Sequence, residues 1–253
     1  MTNETFSSCK PELSRRGLEL SVRCLQNRCY APALGLAGDF GGLEAPAADC
    51  GSPQLGHRPG NGPGKIQGMP QNAALTRLEE SLDHIRDAPA DGGTVELIAR
   101  RPAVDEREVL TEARLDVRDG LEGDTWCVCG SSRTPDGGPN REAQLTLMNA
   151  RAAAAIAGEH EHWPLAGDQL YVDLDLSHNN LPPGSRVQIG SAVIEFSEAP
   201  HTGCAKFSAR FGIDALRFVN SPTGRELRLR GANCRVVVGG TVRPGDTIRK
   251  VPS

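Results

Sequence analysis

The chain lacks a long apolar run. No stretch of its 253 residues approaches the roughly 20 consecutive apolar residues of a membrane-spanning helix, so no membrane partner is expected. Its opening residues, "MTNETFSSCKPELSRR", have no apolar core after a basic start and do not read as a secretory signal. The cytoplasm is the expected compartment. A strong charge of one sign is also missing. The 28 basic and 32 acidic residues leave a net charge of −4, too mild to single out nucleic acid or an anionic membrane as partner. "WCVCG" at 126–130 has one residue between its cysteines, where zinc ribbons and redox pairs usually have two, and no second pair completes a four-ligand set. No metal is expected there. Eight cysteines are present: Cys9, Cys24, Cys29, Cys50, Cys127, Cys129, Cys204 and Cys234. In a chain neither short nor evidently secreted they do not imply a disulfide framework. Reduced thiols, some of them core filler, are expected everywhere except at Cys204.

The chain changes style near residue 69. Residues 1–68 are rich in Gly and Pro, as in "GLAGDFGGLEAPAADCGSPQLGHRPGNGPGK", and no apolar period persists there. Too little apolar surface is available to offset the ordering entropy, so disorder is expected, apart from a short helix around "GLELSVRCLQN". From Met69, Leu75, Leu78, Leu82 and Ile85 recur at spacings of three and four, predicting an amphipathic helix over 69–89 that Pro89 ends.

Beyond residue 90, strand patterns dominate. "TVELIARRP", "EREVLTEARLDVRDG", "AQLTLM" and "DQLYVDLDLS" read as strands, and in the last Leu170, Val172, Leu174 and Leu176 face one way. "RVQIGSAVIEF" reads as a hairpin turning at Gly190-Ser191. "CRVVVGGTV" reads as a second hairpin, followed by a Pro-Gly turn and a last strand. "NARAAAAIAGEH" is a helix with Asn149 as N-cap and Gly158 as stop, and "FGIDALRFVNS" is helical. "LPPGSRVQIG" and "VRPGDTIRKV" share a Pro-Gly turn leading into an alternating strand, so both segments are expected to enter the sheet the same way. Many short strands with few helices predict a mainly β fold, a closed or nearly closed β-barrel.

"EAPHTGCAKF" at 198–207 puts a cysteine just past a strand. Cys204 is either a buried thiol ending that strand or a sulfur held out for chemistry. His201 and Lys206 lie within three residues, where positive charge favours a thiolate. Gly203 leaves room for a close approach.

"GLEGD" at 120–124, "QLTLMNAR" at 144–151, "LAGDQLYVDLDLSHNNLPPGSRVQIGSAVIEFSEAPHTGC" at 165–204 and "GTVRPGDTIRK" at 240–250 resemble, in this order, the MOSC family, named for the C-terminal domain of molybdenum-cofactor sulfurase. The resemblance spans about 90–252. It implies a β-barrel of the pyruvate-kinase-barrel type that binds or carries molybdenum cofactor (molybdopterin) or activated sulfur. Cys204 stands at the position of the family's central cysteine and would be the molybdenum ligand. Asp124 would lie beside the pocket and orient a ligand or proton; read from its residues alone, it bonds backbone N–H groups of its own glycine turn. "GDQL" at 167–170 stands where family members often carry Gly-Glu-Asn-Leu, and Asp168 and Gln169, which the resemblance makes cofactor-binding, keep acid and amide but change both side-chain lengths. Arg141, Arg151, Arg230 and Lys206 are candidates for the pterin phosphate, although no glycine-rich phosphate loop surrounds them and solvated surface charge is the alternative. His160, His162 and His178 are read as loop residues.

Sulfurase members carry a separate pyridoxal-phosphate domain. The residues before 69 are too few for one, so pyridoxal phosphate is not expected to bind this chain. Three functions stay open: a small molybdoenzyme reducing N-hydroxylated or related compounds, a sulfur or cofactor carrier acting through a Cys204 persulfide, or a non-catalytic barrel. The corresponding partners are a small-molecule substrate or cofactor and an electron-donor protein or molybdoenzyme client.

Overall fold

The computed structural model describes residues 72–131 and 134–252. The segment 1–68, expected to be disordered, lies outside the described residues, as does the start of the predicted 69–89 helix.

That helix is two short ones, α1 (Leu75–Glu80) and α2 (Leu82–Arg86), meeting at Ser81. The Ser81 hydroxyl donates to the Leu78 carbonyl at 2.6 Å, a local bond that competes with helix propagation. The predicted apolar face is real: Leu78 and Ile85 are buried, and Leu75 and Leu82 pack beside them.

The strands follow: β1 (Gly93–Arg100), β2 (Glu108–Leu110), β3 (Ala113–Asp116), β4 (Gly120–Leu121) and β5 (Leu145–Asn149). Helix α3 (Ala150–Ala157) leads to β6 (Leu170–Asp173), β7 (Arg186–Ile189) and β8 (Ala192–Phe196). Then come α4 (Ala205–Asn220), α5 (Pro222–Glu226), β9 (Ala232–Val238), β10 (Gly240–Val242) and β11 (Thr247–Lys250). Seven strands run in the order β11-β7-β8-β9-β5-β6-β1, and β1 pairs back onto β11 through Gly93↔Ile248 and Thr94↔Thr247. The sheet is therefore a closed barrel, which removes its free edges. Strand β2 adds to the far end of β1, and β10, β3 and β4 form a separate small sheet. Among the described residues no helix is long and apolar enough to cross a membrane.

Strand alternation divides the core in two. Leu145, Leu147, Leu170 and Val172 point into the barrel with Ile189, Ile194, Val236 and Ile248. Their neighbours Met148 and Tyr171 point outward, against α3 and α4, with Phe207, Phe211 and Phe218. On β1 the inward residues are Val95 and Ile98, three apart rather than two. A register shift against β6 between Val95 and Leu97 accounts for the extra residue.

The hairpin at Gly190-Ser191 is present, with Ile189 opposite Ala192. The two Pro-Gly segments do enter alike: Gly184 and Gly245 both have positive φ, and the strands that follow, β7 and β11, pair with each other. The second predicted hairpin is absent. β9 pairs with β5 and β8, whereas β10 leaves the barrel to pair with β3. Glycines that could close a hairpin instead let the chain change sheets.

Asn149 caps α3 as the sequence predicts: its side-chain oxygen accepts from Ala152 N at 3.0 Å. Its amide also donates to the Leu174 carbonyl at 2.8 Å, tying the helix to the end of β6. Asn149→Ala removes both bonds in a buried setting and should destabilise the protein by about 1–3 kcal/mol. A urea midpoint equal to that of the parent protein would show that the cap contributes nothing.

Candidate functional site

Cys204 is exposed and unpaired by disulfide, and it immediately precedes α4 in an extended conformation (φ −125°, ψ −179°). Its side chain makes no capping bond. Cys234, in contrast, lies in the barrel core, where burial pushes its thiol pKa far up. Of these two thiols, only Cys204 is available for chemistry.

The backbone ahead of Cys204 is held from two sides. Asn220, the last residue of α4, accepts from Gly203 N at 3.0 Å and donates to Gly203 O at 3.3 Å. A side chain at 203 would meet Leu216 Cδ1 at 2.7 Å and Val219 Cγ2 at 3.0 Å. Gly203 is thus required by the protein's own packing against α4. Two residues earlier, His201 Nδ1 stands 3.4 Å from Asp168 Oδ1.

Asp168 has no side-chain exposure, and it pairs through Oδ2 with Arg230 Nη1 at 2.6 Å. Arg230 is almost as buried; it also donates to the Ala166 carbonyl at 2.9 Å, and its guanidinium lies 4.9 Å from the Phe207 ring centroid. Next to it, Gly231 has φ +107°, and a side chain there would strike Leu147 O at 2.5 Å and Asp168 Oδ1 at 2.9 Å. Gln169 is buried one residue on, its oxygen accepting from Thr146 N and Oγ1. Among the described residues, Gln169 Nε2 and Arg230 Nε are buried without a hydrogen-bond partner.

Asp124 belongs to a neighbouring arrangement. Its buried carboxylate accepts from Arg101 N, Nε and Nη2 at 2.8–2.9 Å, and from Trp126 N at 2.9 Å, capping a 3-10 turn over Thr125–Val128. Burial opposes the Arg101 charge, but the bond and charge of Asp124 outweigh it and raise the pKa above its ordinary value. Arg101 also reaches the Gly167 carbonyl at 3.4 Å. Arg107 and Arg210 donate to the Pro164 and Leu165 carbonyls of the same connection. Burial, then the Arg210 and Arg101 charges, lower the Arg107 pKa, so positive charge is crowded here.

The structure therefore links His201, Asp168 and Arg230 side by side; Cys204 follows His201 by three residues in the chain, and the side chain of Gln169 turns to Thr146 instead. Lys206 is exposed on the first turn of α4, with no ion pair among the described residues. Arg151 is taken up by Asp173, at 2.7 Å, and by the His84 carbonyl, and Arg141 by the Val117 carbonyl. His160 packs on Trp163, and His178 on Arg228. Sequence reading missed Arg101, Asn220 and Gly231. Arg101 and Asn220 act from 23 and 17 residues away, so no local pattern marks them; the only signal at Gly231 is a glycine bordering a strand. A cavity of about 700 Å³ lined by Asn72, Arg77, Ala155, Glu159 and His162 includes none of the site residues.

Residues 133–249, which supply Asp168, His201, Cys204 and Arg230, match the MOSC domain. This part of the chain is a MOSC domain. Solved structures similar to this MOSC chain include the YuaD protein from Bacillus subtilis, 16% identical, covering 62% of this chain and 93% of that one with a TM-score of 0.47. YiiM from Escherichia coli is 19% identical, covering 63% and 70% with a TM-score of 0.43. YiiM from Geobacillus stearothermophilus is 12% identical, covering 65% and 75% with a TM-score of 0.41. Comparison with curated proteins gives no match.

Asp168→Asn keeps the shape of the side chain but leaves Arg230 charged and buried without a counterion. The expected loss is about 3–5 kcal/mol, read from urea unfolding. A loss below about 1 kcal/mol would mean that the pair does not anchor this region.

Proposed function

We propose that this MOSC-domain protein binds molybdenum cofactor through the Cys204 thiolate and serves as a small molybdoenzyme reducing N-hydroxylated or related compounds. The observation that carries this reading is an exposed thiol, free of capping and disulfide bonds, just after a glycine whose backbone Asn220 fixes and three residues after His201, which meets the buried Asp168. A thiolate is a soft ligand suited to molybdenum. Among the described residues no group of three or more His, Cys, Asp or Glu could hold a metal ion. A metal at Cys204 would therefore come with a cofactor that supplies its other ligands.

The donor set fits such a group. Lys206 is exposed two residues from Cys204 and suits an anionic tail. The unused Gln169 Nε2 and Arg230 Nε are donors in reserve. Asp168, Gln169 and Arg230 are buried; in this conformation Asp168 stands against His201, Arg230 answers Asp168, and Gln169 holds Thr146. When bound, the cofactor supplies the two-electron chemistry; the protein's residues supply a ligand and a fixed approach.

A second reading is favoured by the openness of Cys204: an exposed thiol suits a persulfide handed to a client protein. Full-length protein and Cys204→Ser, made in a molybdenum-replete host, separate these readings. The first predicts stoichiometric molybdenum by elemental mass spectrometry, lost in Cys204→Ser while the melting curve barely moves. A persulfide on Cys204 without molybdenum supports the carrier. Molybdenum retained in full by Cys204→Ser, or neither adduct in the parent protein, removes Cys204 from the function.

A further inference from the structure

Helix α4 is interrupted at Gly212, whose φ of +86° and ψ of 170° lie outside the helical range. Run straight, the helix would carry Asn220 roughly 25 Å from Gly203. Instead the Asn220 amide grips that residue: Oδ1 accepts from Gly203 N at 3.0 Å, and Nδ2 donates to Gly203 O at 3.3 Å. The half of α4 after Gly212 is therefore folded back on the half before it, and Leu216 and Val219 come up to the same glycine. Only glycine adopts this backbone conformation without strain. A side chain at 212 would also meet the Asn72 amide group at 2.9–3.2 Å. On the reading that Cys204 is the functional sulfur, we propose that Asn220 is its positioning residue, delivered to the start of α4 by the bend at Gly212.

Cys204 has an anchor on each side. Ahead of it, Gly203 is held at both its N–H and its carbonyl. Behind it, the Cys204 carbonyl accepts from Ser208 N at 3.0 Å, the first turn of α4. With the backbone fixed before and after, and no capping bond on the side chain, the sulfur moves only among the staggered positions about its Cα–Cβ bond. A ligand that needs sulfur at one place then meets a small set of positions, and less ordering entropy is lost on binding. Asparagine suits this task because its amide carries an acceptor and a donor side by side, matching the N–H and C=O of a single residue. Aspartate would set a second acceptor against the Gly203 carbonyl, and alanine would offer neither bond.

The test uses full-length 15N-labelled protein and reads single residues by NMR. In Asn220→Ala the Gly203 amide should exchange at least tenfold faster. The backbone order parameter of Cys204 should fall from about 0.85 to below about 0.6. The Ala152 amide, bonded to the distant Asn149 cap, should exchange as before. Molybdenum bound per protein, after growth in a molybdenum-replete host, should fall about tenfold although Cys204 is intact. Asn220→Asp keeps the acceptor for Gly203 N, so that amide should stay slow; this variant carries the test if Asn220→Ala does not fold. Parent protein without molybdenum sinks the cofactor reading alone, since exchange and order at Gly203 and Cys204 are read without it. The proposal is overturned if Cys204 is as ordered in Asn220→Ala as in the parent, or if Ala152 loosens to the same extent. Fast Gly203 exchange in Asn220→Asp, or full molybdenum content in Asn220→Ala, would overturn it equally.

Discussion

The Asp168–Arg230 ion pair is the constraint around which the candidate site is arranged. A carboxylate with no solvent exposure and a guanidinium at 8% can stay charged only if each answers the other. Their 2.6 Å contact does so, helped by the Ala166 carbonyl and the Phe207 ring. These partners come from separate places in the chain: the loop before β6, the loop before β9, and the first turns of α4. Holding the pair together therefore fixes three connections at one end of the barrel. Gly231 is a consequence of that closeness, since any side chain there would occupy the space of the Asp168 carboxylate. His201 is drawn to the free side of the same carboxylate, and the residues leading to Cys204 follow.

The barrel itself was largely legible. Strand alternation places residues on two faces whatever the partner strand, so Leu170 through Leu176 could be assigned inward from their spacing alone. The Asn149 cap and the Gly190-Ser191 turn are equally local. The failure at β9 and β10 shows the limit of such signals. "VVVGGTV" is compatible with a hairpin turn or with a chain changing sheets, and only the partners distinguish them: β5 and β8 for one strand, β3 for the other. Sequence carries backbone permissiveness well and strand partnership poorly.

The site was half legible for a related reason. Cysteine position could be read from the resemblance, and its availability could not. Cys204 and Cys234 each stand at a boundary of a predicted element, yet one is exposed before a helix and the other fills the barrel. What separates them is packing from distant segments. Gly203 illustrates this further. Its lack of a side chain reads in the sequence as room for a ligand, but Leu216, Val219 and Asn220 take up that space from the far end of α4. The same residue that reads as opening the approach is the one that lets the helix clamp the backbone.

Asp124 can be assigned by comparing the strengths of its links. It is tied to Arg101 by three short bonds, two of them to the guanidinium in the bidentate arrangement that is strongest for this pair. Arg101 reaches the loop of Asp168 by a single 3.4 Å contact to the Gly167 carbonyl, long for a hydrogen bond. Arg101 therefore holds the turn carrying Cys127 and Cys129 far more firmly than it holds the loop beneath Cys204. The carboxylate of "GLEGD" bonds one local N–H, that of Trp126, and otherwise a distant arginine. Its link toward the loop of Asp168 passes through that long contact, whereas its hold on the turn over Thr125–Val128 is direct.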